Sequence, residues 1–145
     1  MTENSGDLTR RDALRAGAAL CGLSLLAIGI TDAQADTSGV KQSRSGQVRV
    51  RLSRYPALRR IGGAVAIGTV GDQPAGVART GQNTYVAFSL LCPHVGETVN
   101  RSGTGWKCPA HFSTFRADGG FVSGPASRAL FTIPSRLSRG VLIVG

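Results

Sequence analysis

Charge is scarce in this 145-residue chain: only 17% of residues are Asp, Glu, Lys or Arg. Few charges together with 20 glycines exclude a coiled coil or a helical bundle, which need charged, glycine-poor surfaces, and favour turns and short strands. Acids are the rarer sign, 8 against 17 basic residues, for a net charge of +9. Fifteen of the cations are arginines scattered along the chain, so the excess does not read as a nucleic-acid surface. Three cysteines cannot form a disulfide framework without leaving one over. No second carboxylate accompanies Glu97, so it does not read as half of an acid–base pair. Long apolar runs are missing too. The longest uncharged apolar stretch, Ala16 to Ile30, would reach about 22 Å as a helix, against roughly 30 Å of membrane hydrocarbon.

That stretch has a context. Thr9-Arg10-Arg11-Asp12-Ala13-Leu14-Arg15 precedes it and Ala33-Gln34-Ala35 follows it. A basic region, an apolar core and a small-x-small cleavage site make an export signal. The Arg10-Arg11 pair resembles the twin-arginine type, which exports folded proteins. The expected organisation is a signal over 1–35, a polar linker over 36–46 and one domain over 47–145, with the mature protein periplasmic or otherwise extracytoplasmic. Membrane attachment is expected only if the N-terminal segment is kept as an anchor. Cys21 follows the bulky Leu20 and reads as a small apolar residue lost with the signal. Removing the signal takes three arginines and four acids, leaving 14 basic and 4 acidic residues.

The remainder reads as strands. Gln47 to Leu52 alternates Val48, Val50 and Leu52 with Arg49 and Arg51, a half-buried strand. Further strands are expected at Ala64–Val70, Gly76–Thr80, Thr84–Leu91, Gly105–Lys107, Phe112–Phe115, Gly120–Val122, Ala129–Ile133 and Val141–Val144. Turn chemistry at Gly81-Gln82-Asn83, Asp118-Gly119-Gly120 and Ser123-Gly124-Pro125 separates several of them. No stretch after residue 35 carries a helical stripe. The class is all-β, a sandwich or partly open barrel of antiparallel strands.

Beyond residue 35 the chain has two cysteines and two histidines, and all four fall between positions 92 and 111. The arrangement is Cys92-Pro93-His94, then thirteen residues, then Cys108-Pro109-Ala110-His111. Thiolate and imidazole donors in two short loops indicate a metal. One zinc ion takes such a set, but zinc modules usually pair like ligands within a knuckle, whereas each loop here carries one of each. Alternatively, each loop gives its cysteine to one metal and its histidine to a second.

The second arrangement resembles the Rieske [2Fe–2S] family, in which two histidines replace two cysteines on one iron. Cys92-Pro93-His94-Val95-Gly96 and Cys108-Pro109-Ala110-His111-Phe112-Ser113 resemble the family's two ligand boxes. Gly124-Pro125-Ala126 resembles its proline loop, and Trp106 and Leu130 also fit. The likeness covers roughly residues 55–144 and implies a two-loop cluster-binding subdomain. It implies that Cys92 and Cys108 hold the inner iron, that His94 and His111 hold the outer iron, and that Ser113 donates a hydrogen bond to a cluster sulfide. Two ferric ions, two sulfides and two thiolates with neutral imidazoles leave the oxidised centre uncharged. An electron then enters more easily than at a four-thiolate centre, and such potentials lie at about −150 to +300 mV.

Departures from the pattern matter. Respiratory Rieske proteins carry an extra cysteine in each box, joined as a disulfide; here those positions are Glu97 and Ala110. Phe115 stands where high-potential members place a tyrosine. The resemblance implies a one-electron carrier or small subunit with no substrate chemistry of its own. Its expected redox partner is a molybdopterin oxidoreductase, as in arsenite oxidase, or a cytochrome, as in the quinol-oxidising bc complexes. No nucleic-acid partner is expected. A ring-hydroxylating oxygenase would need two further histidines, which the sequence lacks. The arginines at 49, 51, 54, 59 and 60 read as a solvated face ahead of a docking face, and Trp106 and Phe121 as core.

Overall fold

The computed structural model describes residues 39–43 and 45–145. The expected export signal, and residues 36–38 and 44 of the expected linker, lie outside the described residues. Among the described residues no helix is long and apolar enough to cross a membrane.

Among the described residues twelve strands follow one another: β1 Val40–Gln42, β2 Val48–Arg51, β3 Ala64–Val70, β4 Gln73–Arg79, β5 Tyr85–Ser89, β6 Asn100–Ser102, β7 Gly105–Lys107, β8 Thr114–Phe115, β9 Phe121–Ser123, β10 Thr132–Ile133, β11 Ser135–Ser138 and β12 Val141–Val144. Two 3₁₀ turns, Leu52–Arg54 and Pro56–Arg59, link β2 to β3. The strands make three four-stranded sheets, ordered β1-β2-β12-β11, β10-β5-β4-β3 and β6-β7-β8-β9. All named pairings are antiparallel and no sheet closes on itself. The fold is all-β, as expected.

The second sheet has a hydrophobic cluster on each face. Ala75, Val77 and Ala87 pack with Val48, Val50, Leu142 and Val144 of the first sheet. Ala78 and Phe88, pointing the other way, pack with Cys92, Trp106, Cys108 and Phe115 of the third sheet and its loops. Burial on both faces explains why Ala75 to Ala78 are all buried without alternation. Gly76 is needed on the second face: a Cβ there would sit 2.9 Å from the Phe88 ring. Phe88 in turn meets Trp106 edge to face, with centroids 5.7 Å apart, and this contact ties the third sheet to the base.

Several boundaries differ from expectation. Val40–Gln42, expected as linker, pairs with β2 in the register Val40↔Val50. β6 and β11 were not expected, and together with β1 they carry almost no buried side chain, so no apolar alternation announces them. β4 begins at Gln73 rather than Gly76, because Pro74 sits at its second position, where it pairs with Thr69 beside the bulge at Ala66/Gly68. Phe112 and Ser113, expected in a strand, belong to a loop whose backbone bonds are described next.

Candidate metal centre

Two loops carry the cysteines and histidines, and their backbones repeat one pattern. In the first, the Cys92 N–H donates to Glu97 O at 2.7 Å, and the Gly96 N–H donates to Cys92 O at 2.8 Å. In the second, the Cys108 N–H donates to Ser113 O at 2.8 Å, and the Phe112 N–H donates to Cys108 O at 3.1 Å. Each cysteine therefore sits at the closed base of a loop, bonded to the fourth and fifth residues after it. The fourth residue takes positive φ in both: +79° at Gly96 and +60° at Phe112. A glycine does this without cost, whereas a phenylalanine stores about 1–2 kcal/mol. Lys107 places its ammonium 4.8 Å from the Phe112 ring, which helps hold that residue.

The bases are sealed and the tips open. Cys92 is 1% exposed and Cys108 is fully buried, both as free thiols. His94 and His111 are exposed, with ring centroids 4.8 Å apart at 79°. The loops thus bring all four donors together as like pairs, thiol near thiol and imidazole near imidazole. Among the described residues no three His, Cys, Asp or Glu side chains group as ligands of one ion. Burial pushes the Cys92 thiol above its ordinary value and the neighbouring Cys108 adds to this, while the His94 backbone N–H and the Ser113 hydroxyl pull it down.

Ser113 is fully buried and links three segments. Its Oγ accepts the Ala126 N–H at 3.0 Å, which fastens the 124–126 loop over the site and leaves the hydroxyl proton free to be donated inward, toward Cys92. Gly124 makes the approach possible: its φ is +106°, and a Cβ would stand 2.5 Å from Ser113 Cα. A second tie is the 2.7 Å hydrogen bond between the Thr114 and Ser123 hydroxyls. Glu97 lies in the first loop's turn, where its Oε1 accepts the Thr98 N–H at 3.0 Å. Trp106 is core, with its Nε1–H donating to Ala117 O at 3.1 Å. Phe115 is 2% exposed and shares the core cluster with both cysteines.

Two features of the structure have no plain signal in the sequence. The left-handed Phe112 has a signal only in retrospect, since it stands four residues after its cysteine, as Gly96 does. Arg79 donates to the carbonyl oxygens of Arg59, Gly81 and Gln82 and so joins two turns, and nothing local in the sequence marks it for this.

A family model described as the Rieske [2Fe-2S] domain matches residues 57–134. No curated protein sequence matches the chain. Among solved structures, the plasma membrane Rieske protein PetC3 from Synechocystis PCC 6803 is 23% identical, covering 70% of this chain and 87% of its own, with a TM-score of 0.48. A naphthalene 1,2-dioxygenase variant bound to phenanthrene is 16% identical over 77% of this chain and 28% of its own, at 0.55. The quaternary ammonium Rieske monooxygenase CntA in complex with L-carnitine is 16% identical over 61% of this chain and 29% of its own, at 0.50. The chain spans less than a third of the length of those two oxygenases, and the likeness to them is one of fold.

Proposed function

The chain belongs to the Rieske [2Fe-2S] domain family, and from that premise we propose that Cys92, His94, Cys108 and His111 hold its cluster. A Rieske domain binds one [2Fe–2S] cluster and transfers electrons. The observation that carries the assignment is the like-with-like pairing of two sealed thiols and two facing, exposed imidazoles at the ends of two equivalent loops. When bound, the cluster supplies a one-electron couple.

The chain's own residues do the rest. Cys92 and Cys108 give soft donors from a site closed to water. His94 and His111 give donors at the surface, where a partner has access. The Ser113 hydroxyl directs its proton toward sulfur, and hydrogen bonds of that kind make an added electron easier to accept. Phe115 offers no such donor.

The finer reading is an exported electron carrier or small subunit of a periplasmic oxidoreductase, such as arsenite oxidase. The Arg10-Arg11 pair and Ala33-Gln34-Ala35 support the export route. Phe115, together with Glu97 and Ala110 in place of a disulfide, favours this reading over a quinol-oxidising bc subunit.

Electron paramagnetic resonance of the dithionite-reduced protein tests the ligands. Two irons and two acid-labile sulfides per chain are expected. Cys92→Ser and His111→Ala should each abolish the signal, and retention of the full signal in either would refute the assignment. Changing Arg10 and Arg11 together to Lys should stop export. Intact Met1-containing protein in washed membranes would replace the exported carrier with an anchored subunit.

A further inference from the structure

A cleft of 820 Å³ opens between the chain entering β3, the end of β4, the β6–β7 turn and the segment after β8. Neither His94 nor His111 lines it, so it is a surface apart from the imidazoles. Small residues take a large share of its lining: Gly62, Gly63, Ala64, Ala78, Gly103 and Ala117. The smallness is enforced at Gly63, where a Cβ would collide with the Ala57 carbonyl.

Charge on this cleft is one-sided. Arg60, Arg79, Arg101 and Arg116 line it, against the single acid Asp118. Two of the guanidinium groups are already fixed. Arg79 is bonded to carbonyl oxygens, and Arg101 donates to Thr104 O and Gly105 O while lying 4.8 Å over the Trp106 ring. Their hydrogen bonds to neutral carbonyls leave their positive charge uncancelled. The other two reach solvent. Arg60 is exposed at one bank; Arg116, on the other, meets Asp118 at 3.4 Å with its side chain 62% exposed. Guanidinium groups on facing banks are suited to carboxylates, which they take two bonds at a time.

We propose that this cleft receives an acidic segment of a partner polypeptide, with Arg60 and Arg116 binding its carboxylates. The open shape fits an extended chain better than an enclosed small molecule. The chain's own surplus of arginine over acid supplies the complementary field. Identifying that polypeptide as the redox partner rests on the electron-transfer reading above; the binding itself does not. The cleft backs onto Trp106, two residues before Cys108, so a segment seated there would hold a partner beside the cluster-binding sheet without covering the imidazoles.

The test uses the iron-loaded full chain and a fluorescein-labelled (Glu-Ala)5 peptide, followed by fluorescence anisotropy in 0.1 M salt, with (Gln-Ala)5 as the neutral control. Arg60→Glu and Arg116→Glu should each weaken binding about threefold, and the double variant about tenfold. Arg49→Glu and Arg136→Glu, the same charge change on the outer face of the first sheet, should leave binding within about 1.5-fold. The reduced-state resonance signal should persist in every variant, which separates this result from any failure of the ligand assignment. Absence of peptide binding, or equal losses from the control reversals, would overturn the proposal. Displacement of the peptide by an equimolar amount of glutarate would overturn it too, making the cleft a simple anion site.

Discussion

Placing a methyl group at Gly124 and at Gly96 should have unequal effects, and the inequality measures how tightly the 124–126 loop is fastened. Both glycines have positive φ, +106° and +79°. At Gly96 nothing lies within 4 Å of a built Cβ, so only backbone strain is added. That strain is about 1–2 kcal/mol, and it is offset by about 0.4–1 kcal/mol because alanine restricts the unfolded chain. Gly96→Ala should therefore cost about 1 kcal/mol. At Gly124 the backbone region is sparser, about 1–3 kcal/mol. The new methyl would also stand 2.5 Å from Ser113 Cα and 2.9 Å from its Oγ, so the serine backbone must shift. Shifting it breaks the Ala126–Ser113 bond, about 1 kcal/mol, and overpacks the loop by about 1–3 kcal/mol. Gly124→Ala should cost about 3–5 kcal/mol. With a urea slope near 2 kcal/mol/M, the midpoint should fall by about 0.5 M for Gly96→Ala and about 2 M for Gly124→Ala. Far-UV circular dichroism during urea unfolding reads both shifts. Equal shifts, or a Gly124→Ala protein as stable as the parent, would refute the reasoning.

Tyr55 predicts an alkaline limit. Burial raises its pKa above 10.0, so the folded chain prefers the neutral phenol; that preference contributes fully below pH 10 and is lost as pH rises through the raised value. Urea midpoints should fall with rising pH above about 10, and Tyr55→Phe should flatten the fall. For Phe115→Tyr, a new hydroxyl reaching a cysteine sulfur should favour the reduced state by about 1–2 kcal/mol, or about 40–90 mV. A redox titration followed by the resonance signal checks this, and a variant that titrates lower would remove hydrogen bonding as the cause.

Rarity made the site legible. With two cysteines and two histidines after residue 35, their crowding into one window marks a candidate site, and the structure sets thiol near thiol and imidazole near imidazole. The strands that could be read, such as β2 and β12, are those whose burial alternates or runs continuously. The strands missed are exposed edges, β1, β6 and β11, each paired with the next strand along the chain and carrying no apolar pattern of its own. Phe112 shows the same limit at a single residue. Its left-handed backbone is imposed by the bond from its N–H to Cys108 O, against its own preference, and no local propensity predicts an imposed conformation.

The first sheet places β12, the last of the described strands, between β2 and β11. During synthesis β2 has only β1 beside it until β12 appears, and one face of the second sheet waits just as long for Leu142 and Val144. Both cysteine loops, and the sheet that carries them, are made earlier in the chain. The part proposed to receive iron and sulfide can therefore be completed while the base is still unpaired. β12 therefore acts as a latch on the base: deleting Val141–Val144 leaves the cysteines and histidines in place in sequence but removes Leu142 and Val144 from the core beneath the second sheet.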